Sequence, residues 1–203
     1  MAWCEGDDFW VESLKLQKQV GFMDTHPDYS MCFHAVNFLY PDGDIKESHR
    51  YDTDNKECNI KDFLLTRGGY AKICSVLYDR EKYGVGFEEW TENPSVGDWP
   101  MQATLFAKGK VAYIDSVMST YRVSADGSWT NKMRSDYRAM RNHHKSVATN
   151  WKLFDKWTGG KYHEYISFQL KDNKIVYRNR QLEFFLQFSV IKKLREFLHS
   201  CKQ

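Results

Sequence analysis

The sequence lacks a long apolar segment, a paired-cysteine motif and a strong charge of one sign. No stretch reaches the roughly 18 uninterrupted apolar residues of a membrane span, so we expect no such span. The five cysteines form no C-x-x-C pair, which argues against a zinc site. Their odd number argues against a full disulfide framework, and we expect a cytoplasmic protein in a reducing environment.

A formal net charge of +2 gives little reason to expect a nucleic acid or an anionic membrane as a partner. No basic segment followed by an apolar run opens the sequence, so we expect no signal peptide. Aromatic residues, by contrast, make up 16% of the chain. They indicate either an aromatic core or a carbohydrate-binding surface, because sugar rings stack on aromatic faces.

Strand and helix patterns alternate over the first two thirds of the chain, which predicts an α/β fold. A long apolar run over residues 30–40 predicts a buried strand. Before it, Ser13 is a candidate N-cap for a helix that carries Leu16, Val20 and Met23 on one face. We expect that face to pack on the sheet.

The remaining patterns predict shorter elements and then long helices. We expect a loop over 42–58, a short helix after Asn59, a strand over 72–78 and a loop over 84–97. A helix from Asp98 to about Gly109 and two strands over 111–114 and 117–123 should follow. The last two elements are a helix from about 131 to 158 and a helix over 174–201. The change in pattern predicts a first domain over 1–130 and a helical extension over 131–203.

The first chemical signal is the acidic segment Glu5-Gly6-Asp7-Asp8 directly after a strand end. Carboxylates this close raise each other's pKa unless a cation lies among them. Mg²⁺ and Mn²⁺ bind carboxylate oxygens of this kind and leave positions open for phosphate oxygens. The alternative is an acidic turn that caps the next helix.

Two further segments carry candidate site residues. In Gly97-Asp98-Trp99-Pro100 a carboxylate at a helix N-terminus could accept a proton from a sugar hydroxyl, with the neighbouring Trp99 stacking on the ring. The alternative is an N-cap aspartate followed by proline. In the segment over 121–129, Arg122 could bind phosphate oxygens through its planar fork of donors, while Asp126-Gly127 also reads as a simple turn.

Taken in order and spacing, these segments resemble the bacterial family-two glycosyltransferases, which have a GT-A fold. The motifs are E-G-D-D-F-W with the helix after it, the strand beginning Y-S-M-C-F-H, G-D-W-P, and Y-R-V-S-A-D-G-S-W. The resemblance covers roughly residues 1–158 and implies a partial GT-A (Rossmann-like) mixed sheet with flanking helices, followed by long C-terminal helices. The implied activity is inverting transfer of a sugar from a nucleotide-sugar donor to a glycan or lipid-linked acceptor.

The resemblance also implies individual roles. Asp7 would coordinate the Mn²⁺ or Mg²⁺ that bridges the donor diphosphate, with Glu5, Asp8 and Arg122 on the donor and phosphate side. Asp98 would be the general base that deprotonates the acceptor hydroxyl. The acceptor-binding aromatic residues would be Trp99 and Trp10.

The sequence departs from the family pattern in two places. Ser124 occupies the position of the usual histidine, which removes a metal or phosphate contact. Only residues 1–4 precede the acidic motif, whereas the family builds its nucleotide pocket from strand–helix units before it. We therefore expect a chain that is inactive by itself, with an open sheet edge through which it self-associates.

Two other interpretations stay open at this point. One is a non-catalytic glycan-binding or interaction module that keeps the acceptor half of such an enzyme. The other concerns the apolar C-terminal helix, with Phe184, Phe185 and Leu186, which either packs on the domain or makes a peripheral contact with the inner face of the membrane. An unrelated metal-dependent hydrolase is disfavoured, because the chain has few clustered His and Asp ligands.

Overall fold

The computed structural model describes residues 1–47, 51, 54–66, 69–84, 90–124 and 128–200, with side chains described except at 82–83, 188–192 and 194–200. The fold is mixed α/β, with a six-stranded sheet in this part of the chain. The strands are β1 (Phe9–Trp10), β2 (Tyr29–Leu39), β3 (Ile45–Glu47), β4 (Lys56–Cys58), β5 (Leu77–Tyr78) and β6 (Lys110–Arg122). The helices are α1 (Lys15–Thr25), α2 (Ile60–Leu65), α3 (Arg80–Tyr83), α4 (Asp98–Lys108), α5 (Trp129–Ser135), α6 (Tyr137–Trp157) and α7 (His163–Ser200), with a 3-10 helix at Ile73–Ser75.

The two long strands β2 and β6 pair in parallel at the centre of the sheet, with Phe33 opposite Tyr113. The apolar run that predicts a buried strand over 30–40 is confirmed by β2. The two strands expected over 111–114 and 117–123 form the single strand β6. The pairing register with β2 slips beside Ala35, so the polar interruption near residue 115 is an irregularity within one strand.

Short antiparallel strands flank this central pair. Strands β1 and β4 pair with β6, and strands β3 and β5 pair with β2. The segment expected to be a loop over 42–58 thus contains the two short strands β3 and β4. Their polar residues are mostly exposed, so no apolar pattern marks them as strands. The prediction of a strand over 72–78 is wrong for its first half, which forms the 3-10 helix. Only the last two residues form a strand, β5.

Helix α1 packs on the sheet mainly with a different face from the one expected, although Met23 of the expected face is half-buried against a small apolar cluster of the sheet. Its buried residues are Lys15 and Gln19, whereas Leu16 and Val20 are 40% and 44% exposed. Lys15 Nζ donates to Gln19 Oε1 at 2.7 Å, and Gln19 Nε2 donates to the carbonyl of Ser75 at 2.8 Å. A buried polar pair that satisfies a distant carbonyl thus outweighs the apolar periodicity. The expected Ser13 cap is also wrong, because Leu14 precedes the first turn and makes no side-chain cap.

The main core lies against α2, α4 and the C-terminal helices and is rich in aromatic rings. Phe63 stacks on Phe106 with ring centroids 4.9 Å apart, and Trp99 stacks on Trp151 at 4.3 Å. Because Trp151 belongs to α6, the C-terminal helices share one apolar cluster with the sheet-bearing part of the chain. Ile166 of α7 is buried in the same cluster.

The long helix predicted from about 131 is interrupted at Asp136, which leaves helical geometry and caps α6 by accepting from Ala139 N at 2.9 Å. The predicted helix end near 158 is confirmed, since α6 ends at Trp157 and the next two glycines, Gly159 and Gly160, have positive φ. Helix α7 begins at His163 rather than near Lys174. Within the described residues, no helix has both the length and the apolar content to cross a membrane.

Along α7 the apolar residues of the predicted C-terminal cluster divide between two environments. Phe184 is buried beside Tyr137 of α6, with ring centroids 5.5 Å apart. Phe185 and Leu186 are 64% and 63% exposed. The side chains at 188, 190 and 191, together with Cys201, lie outside the described residues.

Candidate functional site

The acidic segment forms a turn that is held against the end of β6. The amide of Asp8 donates to the carbonyl of Glu5 at 3.1 Å, which closes the turn. Asp8 Oδ1 accepts from the amide of Arg122 at 2.9 Å, and Arg122 Nε donates to the carbonyl of Asp7 at 3.0 Å. Arg122, predicted as a phosphate ligand, therefore also fixes the acidic turn at the carboxyl end of β6.

Asp8 is the buried member of the turn, with 8% of its surface exposed. Burial raises the pKa of its carboxyl, and the amide of Arg122 and the thiol of Cys74 lower that pKa by less. Asp8 Oδ2 is buried and makes no hydrogen bond of normal geometry in the described part of the chain, and the Cys74 thiol near the carboxyl is only a weak donor. A buried carboxylate oxygen without a donor is costly unless a ligand satisfies it.

Asp98 lies at the first residue of α4, and Gly97 occupies the cap position. One carboxylate oxygen, Oδ1, accepts from the amide of Trp99 at 2.8 Å. The charge of Asp98 reaches the acidic turn. Desolvation raises the pKa of the Glu5 carboxyl, and the charges of Asp8, Asp7 and Asp98 raise that pKa further. The turn and the start of α4 therefore carry carboxylates that repel one another.

Two residues without a role in the sequence-based assignment complete this cluster. Burial raises the pKa of the Tyr121 phenol, and four carboxylates then raise it further, in the order Asp8, Glu5, Asp7 and Asp98. Tyr121 precedes Arg122 in β6, so its position follows from the same strand end. Lys72 lies over the Tyr121 ring at 4.9 Å, and no local pattern in the sequence could reveal that contact.

The aromatic residues predicted to bind the acceptor differ in accessibility. Trp99 is 9% exposed and stacked on Trp151, so a sugar ring could reach that face only by displacing a core residue. Acceptor binding by Trp99 stays a prediction, and in this structure the ring is part of the aromatic core. Trp10 is 37% exposed, with Lys15 Nζ 4.5 Å from its ring centroid on one side.

The chemistry of the donor set fits a hard divalent cation. The raised pKa values of Glu5 and Asp8 and the unsatisfied Asp8 Oδ2 indicate carboxylates that a cation would stabilise. No group of three or more His, Cys, Asp and Glu able to hold a metal occurs among the described residues. A magnesium site of one or two carboxylates that is completed by substrate phosphate oxygens needs no such group.

Three uncharacterized mycobacterial proteins, one from Mycobacterium bovis and two from strains of Mycobacterium tuberculosis, are each 34% identical to the chain over 129 residues. The match covers 64% of this chain and 36% of each relative. The chain thus spans 36% of the length of these relatives. No model of a known protein family matches the sequence.

Proposed function

We propose that this chain carries the metal- and acceptor-binding side of an inverting, nucleotide-sugar-dependent glycosyltransferase. The observation that supports this proposal most directly is the acidic turn fixed at the end of β6, where the amide of Arg122 donates to Asp8 Oδ1 and Arg122 Nε donates to the carbonyl of Asp7. After burial, the charges of Glu5, Asp7, Asp8 and Asp98 raise the pKa of the neighbouring Tyr121 phenol. These carboxylates come from two segments far apart in sequence, and the acidic turn lies at the carboxyl end of β6. Ligands of open α/β sheets bind outside the carboxyl ends of strands.

In the proposed reaction Asp98 accepts the proton of an acceptor hydroxyl. The oxygen then forms a bond to the anomeric carbon of the donor sugar while the bond from that carbon to the diphosphate breaks, and the electron pair leaves with the diphosphate. Attack opposite the leaving group inverts the configuration. Mn²⁺ or Mg²⁺ held by Asp7 would offset the charge that develops on the diphosphate.

The remaining residues have supporting roles in this proposal. Arg122 holds the acidic turn through its amide and Nε, which leaves its remaining donors for phosphate oxygens. Glu5 and Asp8 lie on the donor side, and Trp10 is the accessible aromatic residue for the acceptor. The parallel pair β2 and β6 with antiparallel neighbours supports the finer assignment to the GT-A fold.

The setting of the reaction belongs to the same proposal. A nucleotide-sugar donor and a saccharide or lipid-linked acceptor would meet in the cytoplasm, at the inner face of the membrane where the acceptor is lipid-linked. The exposed Phe185 and Leu186 of α7 support a peripheral membrane contact.

Transfer from labelled UDP- and GDP-sugars to saccharide acceptors tests the activity, with the 203-residue chain and a full-length mycobacterial relative assayed in parallel. We expect metal-dependent transfer by the relative and none by the 203-residue chain alone. Replacing the relative's residue that aligns with Asp98 by Asn should lower turnover by at least about 10²-fold, since a positioned base contributes ~10²–10⁴-fold. Unchanged turnover in that variant would remove Asp98 from the mechanism.

A further inference from the structure

Lys72 is held by the same helix that carries the proposed base. Gln102, one turn after Asp98 in α4, donates from Nε2 to the carbonyl of Ala71 at 2.9 Å and accepts from the amide of Ala71 at 3.3 Å. The carbonyl of Lys72 accepts from the amide and the hydroxyl of Ser75, at 2.8 and 2.6 Å. The Lys72 main chain is therefore held by α4 on its N-terminal side and by the 3-10 helix on its C-terminal side.

The ammonium group of Lys72 lies in an aromatic corner of the site. Its Nζ is 4.9 Å from the ring centroid of Tyr121 and 5.6 Å from that of Phe38, and the two rings meet edge to face. Gly69, with a φ of +70°, allows this approach, since a Cβ there would lie 2.9 Å from Nζ. The ring faces stabilise a cation but accept no conventional hydrogen bonds.

Lys72 Nζ makes no hydrogen bond and no ion pair with any residue that the structure describes. Desolvation lowers its pKa, while Asp98, Cys74 and Asp8 raise it by less. Asp98 and Asp8 thus lie close enough to act on the ammonium but do not satisfy its donors. The donors of this half-buried ammonium are therefore open to a ligand that supplies acceptor oxygens.

We propose that Lys72 binds an oxyanion of the substrate between the acidic turn and the start of α4. This assignment rests on the proposed function and adds a residue that determines which substrates the site accepts. The oxyanion has two sources within that chemistry: the diphosphate of the donor on the Asp8 side, or an acidic group of the acceptor on the Asp98 side. Both present the oxygens that the ammonium lacks, and both are stabilised by a fixed cation beside the carboxylates of the site.

Calorimetry with the 203-residue chain tests this assignment, with inorganic pyrophosphate and glucuronate as probes, each titrated in the presence of Mn²⁺. Lys72→Met keeps the unbranched stem of the side chain and removes the ammonium group, so it should weaken binding of one probe by about tenfold or more. Weaker pyrophosphate binding identifies the donor diphosphate, and weaker glucuronate binding identifies an acidic acceptor. Lys110→Met, at an exposed lysine paired with Asp28 and Glu57, is the control and should bind both probes like wild type.

Binding of Mn²⁺ alone separates a ligand role from a structural one. Removing a neighbouring positive charge cannot weaken attraction for a cation, so Lys72→Met should bind Mn²⁺ as tightly as wild type or more tightly. A parallel loss of Mn²⁺ and probe binding, or unchanged binding of both probes, would overturn the assignment. If Lys72→Met does not fold, the dimethyl-lysine NMR signal of wild-type Lys72 must move on probe addition, and a signal that stays in place overturns it equally.

The proposed function is tested separately by Asp7→Ala, which should abolish Mn²⁺ binding while Lys72 remains intact. Mn²⁺ binding that does not depend on Asp7 contradicts the glycosyltransferase assignment. The Lys72 assignment is tested by probe binding to Lys72→Met, whereas the glycosyltransferase assignment is tested by Mn²⁺ binding to Asp7→Ala, so either can fail without the other.

Discussion

The amide of Arg122 donates a 2.9 Å hydrogen bond to Oδ1 of Asp8, across 114 positions of sequence. The bond joins the acidic turn to the end of the longest strand and uses one oxygen of the carboxylate. The other oxygen, Oδ2, is buried without a partner. Asp8 thus has one structural oxygen and one that is free for a ligand, and substitutions can separate these two roles.

Asp8→Asn keeps an oxygen that can accept from Arg122 and removes a buried charge. Because burial raises the pKa of Asp8 in the folded state, its charged form opposes folding above that pKa, and the cost is relieved as the pH falls. Urea unfolding at pH 7 should therefore show a free energy of unfolding for Asp8→Asn that is equal to wild type or higher. Asp8→Ala loses the hydrogen bond and should cost about 1 kcal/mol or more. Equal losses in both variants would mean that the charge itself supports the fold.

Trp99 provides a test of core packing against ligand binding. The ring is 9% exposed and stacked on Trp151, so Trp99→Ala should lower the free energy of unfolding by about 3–5 kcal/mol. Trp10→Ala, at a 37% exposed ring, should cost at most about 2 kcal/mol. Thermal unfolding followed by circular dichroism measures both. A Trp99 variant as mild as the Trp10 variant would show that the Trp99 ring is not part of a tightly packed core and would favour its predicted contact with the acceptor.

Buried His34 predicts a loss of stability in mild acid. Burial lowers its pKa from 6.5 to about 4, and its Nδ1 donates to the carbonyl of Ala35 at 2.7 Å. The unfolded chain takes up this proton below pH ~6.5 and the folded chain does not, so stability present above that pH is lost toward pH ~4. The loss amounts to roughly 3 kcal/mol from this group.

Urea midpoints at several pH values between 7 and 4 measure this dependence. His34→Gln should reduce the slope of stability against pH, and His26→Gln, at an exposed histidine, should keep the wild-type slope. His143, whose pKa is also lowered to about 4 by burial, accounts for part of the slope that remains. A His34 variant with the full wild-type slope would contradict a neutral buried imidazole.

Local sequence signals predicted several elements well. A continuous apolar run identified β2, and Asn59 caps α2 as expected, with its side chain accepting from Lys61 N. The start of α4 at Asp98 and its end before Gly109 follow from helix-start and helix-end residues. Each of these signals acts within a few residues, which is why the sequence alone reveals it.

The features that sequence reasoning missed depend on partners far along the chain. The buried face of α1 depends on Gln19 reaching a carbonyl 56 residues away. Lys72 enters the site because α4 holds the main chain before it and β6 brings Tyr121 beneath it. The acidic motif and Asp98 could be identified from the sequence because each combines an unusual composition with a turn. That the two segments lie close together could be learned only from the folded structure.

The exposed face of α1 predicts self-association through a second copy of the chain. Leu16 and Val20 are 40% and 44% exposed, and Val20 lines one groove with Met1. Beside that groove Ala2 forms an isolated antiparallel β-bridge with Leu77 of β5. Among the described residues, no strand pairs with the opposite edge of the Ala2 segment. An open edge beside apolar side chains favours pairing with another chain.

Light scattering coupled to size exclusion should therefore show wild-type species larger than a monomer. The double variant Leu16→Glu with Val20→Glu should shift the protein to monomer. Leu182→Glu with Leu186→Glu, on exposed residues of α7, introduces the same charge and should leave the association unchanged. A monomeric wild type would show that the edge and the α1 face are not used for self-association.

Calorimetric titration of Mn²⁺ into the 203-residue chain tests the central claim most directly. Wild type should bind Mn²⁺, because burial, and then the neighbouring carboxylates, raise the pKa values of Glu5 and Asp8, and a cation would stabilise both charges. Asp24→Ala, which removes an exposed carboxylate of α1, should bind Mn²⁺ as wild type does. Loss of binding in Asp7→Ala is the result that the account predicts, and equal Mn²⁺ affinity in wild type and Asp7→Ala would contradict it.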